Sequence, residues 1–124
     1  MKFLSAEQVL FIHARVISET GGSHGLRDIG LLQSAVARPN ATFDGEELYS
    51  STFEKAAALM HSLIKNHPFI DGNKRVGVLS AIVFLNNNNI IIEARNDDLI
   101  NFTLSVVNDL QLNQIAEWFE KHQS

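Results

Sequence analysis

Three consecutive stretches decide the fold: Ser51–Asn66 reads STFEKAAALMHSLIKN, His67–Arg75 reads HPFIDGNKR, and Val76–Leu85 reads VGVLSAIVFL. Ser51, with Glu54 three residues on, has the spacing of a capping box. Behind it Phe53, Ala56, Ala57, Met60, Leu63 and Ile64 form one apolar face of a long helix. Pro68 stops that helix after His67, because proline lacks an N–H and restricts the residue before it. A second helix starts near Asp71–Asn73 and runs through Val76, Leu79, Ile82, Val83 and Leu85. Residues 76–85 are almost wholly apolar, which predicts a central helix buried on all sides.

The segments on either side are helical too. Ser5 and Gln8 make a capping box, and Val9, Ile12, His13, Val16 and Ile17 follow at three- and four-residue steps. Gly21-Gly22 ends that helix, and Asp28 caps a short one through Leu31, Leu32, Ala35 and Val36 that Pro39 stops. Residues 40–50 have a turn signal at Asp44-Gly45 and no period, so they are expected to form a loop. After the breaker Asn86–Asn89, Ile90-Ile91-Ile92 reads as a short strand or an extended core segment. Two further helices are expected at about Asp97–Val107 and Asn113–Lys121, each with Asp or Asn at the N-cap. The expected fold is all-α, a single domain over residues 1–124, with about six helices around a buried central one.

Composition narrows the function. The 124 residues are 45% apolar and 19% charged, which suits one globular domain and not a disordered chain. A net charge of -4 argues against a general nucleic-acid or anionic-membrane binder. With no cysteine there is no disulfide, thiolate nucleophile or Cys-type metal site. Residues 1–7 do not read as a signal peptide, and the longest uncharged stretch, Val76–Ile92, is interrupted by asparagines. A cytoplasmic protein is expected.

The chemistry concentrates in His67–Arg75, where an imidazole, a carboxylate, a glycine, an amide and two cations stand between two apolar helices. With Asp71 as cap, the N–H groups of Gly72, Asn73 and Lys74 would lack partners and would sit at the positive end of the helix dipole, as an anion site does. Residues 61–80 carry Lys65, Lys74 and Arg75 against Asp71 alone, a local balance of +2, while the rest of the chain carries -6. Asp71 suits Mg²⁺ bridged to phosphates, and His67 has the ordinary pKa range of a general base. The same residue types also occur at helix starts that do no chemistry. The chain has no Walker A spacing, no G-x-G-x-x-G and no His-Arg-Asp loop, so a nucleotide site here is of another type.

On these residues the sequence resembles the Doc (death-on-curing) branch of the Fic/Doc superfamily, whose signature is H-x-F-x-D-x-N-K-R. The likeness extends through Gly25-Leu26-Arg27-Asp28, Leu31-Leu32, Ser34-Ala35, Ala37-Arg38-Pro39, Phe43-Asp44-Gly45, Lys55-Ala56-Ala57 and Phe84-Leu85. The resemblance implies a helical fold with the motif between two central helices, and a transferase that uses ATP and Mg²⁺ to modify a protein hydroxyl. Fic proteins that transfer AMP carry glycine where Lys74 stands and arginine where Val78 stands; both departures disfavour that reaction in its usual pose. Doc proteins share the lysine, which implies γ-phosphate transfer to translation elongation factor Tu, inhibition of translation, and restraint by an antitoxin whose C-terminal segment folds as a helix on the toxin. By the same resemblance His67 is the base and Asp71 holds Mg²⁺. Asn73, Lys74, Arg75 and the Gly72 backbone bind phosphates, while Phe69 anchors the loop. The competing expectations are AMP transfer and a catalytically silent binding module.

Elsewhere bland roles are expected. His13 reads as a packed histidine, His61 as structural or supporting, and His24 and His122 as surface residues. Lys65 reads as a helix-end lysine, Trp118 and Phe119 as core, and Gly21–Arg27 as a loop bordering the site. Thr42 to Glu46 and Ser50 to Glu54 have part of the spacing of a Fic inhibitory helix, but the arginine such a glutamate would pair with is absent.

Overall fold

A computed structural model describes residues 1–124. The first three helices each begin where a side chain takes up an unpaired N–H group. Helix α1 (Ala6–Thr20) starts in the full Ser5–Gln8 capping box, and α2 (Ile29–Ala37) under the Asp28 carboxylate, which accepts from the Leu31 N–H at 3.0 Å. Pro39 does not end the chain's turning at once; a 3₁₀ turn continues over Arg38–Asn40. Helix α3 (Thr52–Asn66) is capped by Ser51, whose Oγ accepts from Glu54 N–H at 3.0 Å. The box is half formed, because the Glu54 carboxylate turns to Ser50. Helices α4 (Asn73–Asn87), α5 (Asn96–Val107) and α6 (Leu112–Lys121) complete the set.

Three boundaries differ from the sequence reading. Helix α5 follows Arg95 with no side-chain cap, and Asp97 and Asp98 lie in its first turn, where carboxylates favour the dipole. Helix α6 follows Gln111, which forms a capping box with Gln114 in place of the expected asparagine cap. Residues 40–50 are not simply a loop. They hold a hairpin of β1 (Thr42–Phe43) and β2 (Glu46–Glu47), joined by Asp44 and Gly45, both at positive φ as a two-residue hairpin turn requires. Two-residue strands have no period to read. Ile90–Ile92 is extended backbone with a single bridge from Ile92 to Gln123.

The helix buried all round is α3, not α4. Residues 55–60 and 62–64 are all buried, because α4, α6, α2 and the 3₁₀ turn all pack on it. Small Ala56, Ala57 and Ala58 let those neighbours approach closely. On α4, Gly77 does the same: a Cβ there would meet Ile64 Cγ1 at 2.9 Å. Helix α4 itself is covered by α1 and α3, and Leu79 on its outer side is 38% exposed. Lys55, 1% exposed, donates from Nζ to Tyr49 O and pairs with Glu47 at 3.2 Å, which fastens the hairpin to α3. At the C-terminus Phe119 is core and Trp118 half-buried between the rings of Phe102 and His122. That stacking takes His122 off the free surface where the sequence reading put it; His24 is exposed as expected. No helix is long and apolar enough to cross a membrane.

Candidate active site

The motif is the connection from α3 to α4, and each end of it is set by the backbone. His67 closes α3 in the left-handed conformation (φ 55°, ψ 54°), which a non-glycine residue adopts only at a cost. Arg27 offsets that cost. Its Nε donates to the His67 carbonyl at 2.7 Å and its Nη2 to the Asn66 carbonyl at 2.8 Å, so a cation satisfies the last carbonyls of α3. The main chain N–H groups of Arg27 and Asp28 both donate to Pro68 O, and Ile70 N–H donates to Gly25 O. The Gly21–Asp28 segment therefore straps the motif along its length, more than bordering it.

At the other end Gly72, at φ 82°, takes the cap position of α4, and Asp71 does not cap it. The Asp71 carboxylate instead accepts from Gly72 N–H at 2.8 Å and from Ser23 N–H at 3.1 Å. The anion site thus moves one residue along: Gly72 has spent its N–H, and the unpaired donors of the first turn are those of Asn73, Lys74 and Arg75. Those two backbone bonds, Ser23's first, hold Asp71 below the usual carboxylate pKa, with a smaller contribution from Arg75. Gly22 permits the arrangement, since a Cβ there would lie 2.6 Å from Asp71 Oδ2.

The site residues do not all face one way. His67, Asp71, Gly72, Lys74 and Arg75 line an open cleft of about 550 Å³. His67 and Lys74 are exposed, and Arg75 donates from Nη1 to Thr20 Oγ1 at 2.8 Å. Asn73 borders the cleft, but its carboxamide is buried and turned inward, with Oδ1 accepting from Phe69 N–H and Nδ2 donating to Phe69 O. The expectation that this side chain binds phosphate is corrected accordingly; only its backbone N–H is available. Phe69, 1% exposed, is the expected anchor. Lys65 pairs with Asp109 at 2.8 Å and does not line the cleft, and His61 is hydrogen-bonded to Arg38 away from it.

Sequence reading missed the apolar wall that α5 adds to the cleft, Leu99, Ile100, Thr103 and Leu104. Ile100 and Leu104 are exposed apolar residues four apart on the side of α5 away from buried Phe102 and Val106. That surplus apolar face was the available signal. The chain has no group of three His, Cys, Asp or Glu side chains that could cage a metal. Asp71, the one carboxylate in the cleft, keeps a lone pair on each oxygen beyond its N–H bonds, which fits a hard divalent cation completed by water and phosphates.

A helical fold with this motif clamped between α3 and α4 defines a Fic/Doc-type domain, and the Fic/DOC family model matches residues 3–85; the chain belongs to that family. Its Doc character is equally plain in individual relatives. Toxin Doc of Mycolicibacterium smegmatis is 43% identical over 101 residues, covering 77% of this chain and 76% of that protein. Protein kinase doc of Escherichia phage P1 is 32% identical over 90 residues, covering 73% and 71% respectively. The family match ends before α5, so the apolar wall of the cleft lies outside it.

Proposed function

We propose that this chain is a Doc-type toxin that moves the γ-phosphate of ATP to a hydroxyl of a translation factor, elongation factor Tu, and so stops translation. One observation carries the reading: exposed Lys74 shares the first turn of α4 with three unpaired N–H groups, and His67, whose side chain makes no hydrogen bond, lines the same cleft. The N–H groups of Asn73, Lys74 and Arg75 receive phosphate oxygens, and the Lys74 ammonium and Arg75 guanidinium neutralise charge as it spreads over the transferring group. His67 takes the proton of the target hydroxyl at an imidazole nitrogen. Asp71 would hold Mg²⁺, which when bound neutralises phosphate charge and orients the chain for in-line transfer.

Two features favour phosphate over AMP. Lys74 fills the space a glycine leaves open in AMP-transferring Fic proteins, and Val78, which lines the cleft, offers no cation where those proteins hold the outer phosphates. The name of the phage relative, a protein kinase, points the same way. The apolar α5 wall suits the helical C-terminal segment of an antitoxin, and the proposed use of ATP and a translation factor supports a cytoplasmic site of action. The test is to incubate the protein with Mg²⁺, elongation factor Tu and ATP labelled at either end. The γ-label is expected on the factor and is expected to vanish with His67→Ala. Transfer of the α-label would mean AMP transfer instead, and neither label with no binding of Mg·ATP would mean a silent binding module.

A further inference from the structure

The transfer chemistry leaves one buried imidazole unused. His13 sits on α1 among Val9, Val16 and Ile17, where a leucine would pack, and it is 5% exposed. Its ring lies flat on Phe69, centroids 3.9 Å apart and planes 6° from parallel. Its Nε2 is 2.8 Å from the main-chain oxygen of Asp71. A carbonyl only accepts, so Nε2 carries the hydrogen and the ring is fixed in that tautomer. The ring edge also borders Gly72, where an added Cβ would come within 3.8 Å of it.

Two consequences follow from which atom His13 holds. The Asp71 carbonyl and the Gly72 N–H belong to one peptide plane, and that N–H is the donor to Asp71 Oδ1. Pinning the plane at its oxygen therefore sets the direction of the hydrogen that orients the carboxylate. The same carbonyl is also the acceptor that Arg75 N–H would take if α4 began one residue earlier, since the first bond of the helix now runs from Val76 N–H to Gly72 O. The Asp71 carbonyl is turned to His13 instead, and Arg75 N–H has no backbone partner.

We infer that His13 is a positioning residue of the transfer site: from α1 it pins the Asp71–Gly72 peptide plane, aiming the carboxylate and keeping the third N–H of the anion site available. The activity arm of its test rests on the reading of the cleft as a phosphate-transfer site; the structural arm does not. His13→Phe keeps a ring against Phe69 and removes the donor, while His13→Gln restores a donor at about the reach of Nε2 without the ring. Expected are a kcat about 10–100-fold lower for His13→Phe with a smaller change in KM for Mg·ATP, and partial recovery in His13→Gln. In the nucleotide-free protein, Gly72 amide exchange is expected to accelerate in His13→Phe and not in His13→Gln. Unchanged kcat and unchanged Gly72 exchange in a folded His13→Phe protein would overturn the inference. So would a wild-type His13 found by nitrogen NMR in the Nδ1–H tautomer, a measurement that needs no variant to fold. If the wild type transfers neither label but Gly72 exchange still responds to His13→Phe, the positioning role stands and the transferase reading falls.

Discussion

The carboxamide of Asn73 and the main chain of Phe69 close a reciprocal pair of hydrogen bonds, each 2.9 Å long and both buried. The loop between α3 and α4 is thereby stapled to the first residue of α4, and its Phe69 side chain is held in the core. Asn73→Ala would leave two buried main-chain groups without partners, an expected loss of about 2–4 kcal/mol of unfolding free energy. Urea denaturation measures it. Unchanged stability with a large loss of nucleotide affinity would mean that the side chain leaves its staple to bind phosphate.

Gly22 lies where the strap passes the Asp71 carboxylate, at φ 111° and with 2.6 Å between a would-be Cβ and Oδ2. Gly22→Ala is expected to cost about 1–3 kcal/mol in backbone strain and to push the carboxylate off the Ser23 N–H. The strap should then separate from the motif, visible as faster amide exchange at Ser23 and at Ile70, whose N–H donates to Gly25. Wild-type exchange at both amides would contradict this.

The nine-residue motif and the caps of α1 and α2 could be read from the sequence because they depend on contacts a few residues apart. What could not be read depends on contacts far apart in the chain. The register of the α4 cap is settled by Ser23, forty-eight residues away, drawing the Asp71 carboxylate aside from the helix end. The inward turn of Asn73 depends on where Phe69 packs, and that is set by His13 on α1. Apolar content made α4 look like the centre, whereas burial follows from how many neighbours a helix has, and alanine-rich α3 admits more of them.

The α5 side of the cleft gives a test that separates binding from folding. Ile100 is 60% exposed and lines the same cleft as the motif. Ile100→Ser removes apolar surface that no core residue depends on, so stability is expected to stay within about 0.5 kcal/mol. Affinity for Mg·ATP or for an antitoxin helix should fall several-fold, whichever ligand uses that wall. Calorimetric titration with each, alongside melting, checks both halves; undiminished affinity for both would show that the wall is bystander surface.

His61 supplies the pH dependence. Arg38 Nη1 donates to its Nδ1 at 2.9 Å, and a guanidinium can only donate, so the imidazole must be neutral. The same guanidinium donates to Ser62 Oγ and, through Nε, to Tyr49 OH, which ties α3 to the segment after the hairpin. Burial, then the charges of Arg38 and Lys65, hold the His61 pKa below its ordinary value, with Asp109 opposing weakly. The unfolded chain takes up this proton near pH 6.5 and the folded chain only at lower pH. The contribution is therefore complete above about pH 6.5 and is lost as pH falls through the folded value. His61→Asn offers Arg38 an oxygen acceptor near the Nδ1 position and does not titrate. Its unfolding free energy should fall less steeply than the wild type's as the pH is lowered from about 7.5 to 5, because the other four histidines are common to both proteins. Parallel curves would mean that protonated His61 is accommodated beside Arg38 without loss.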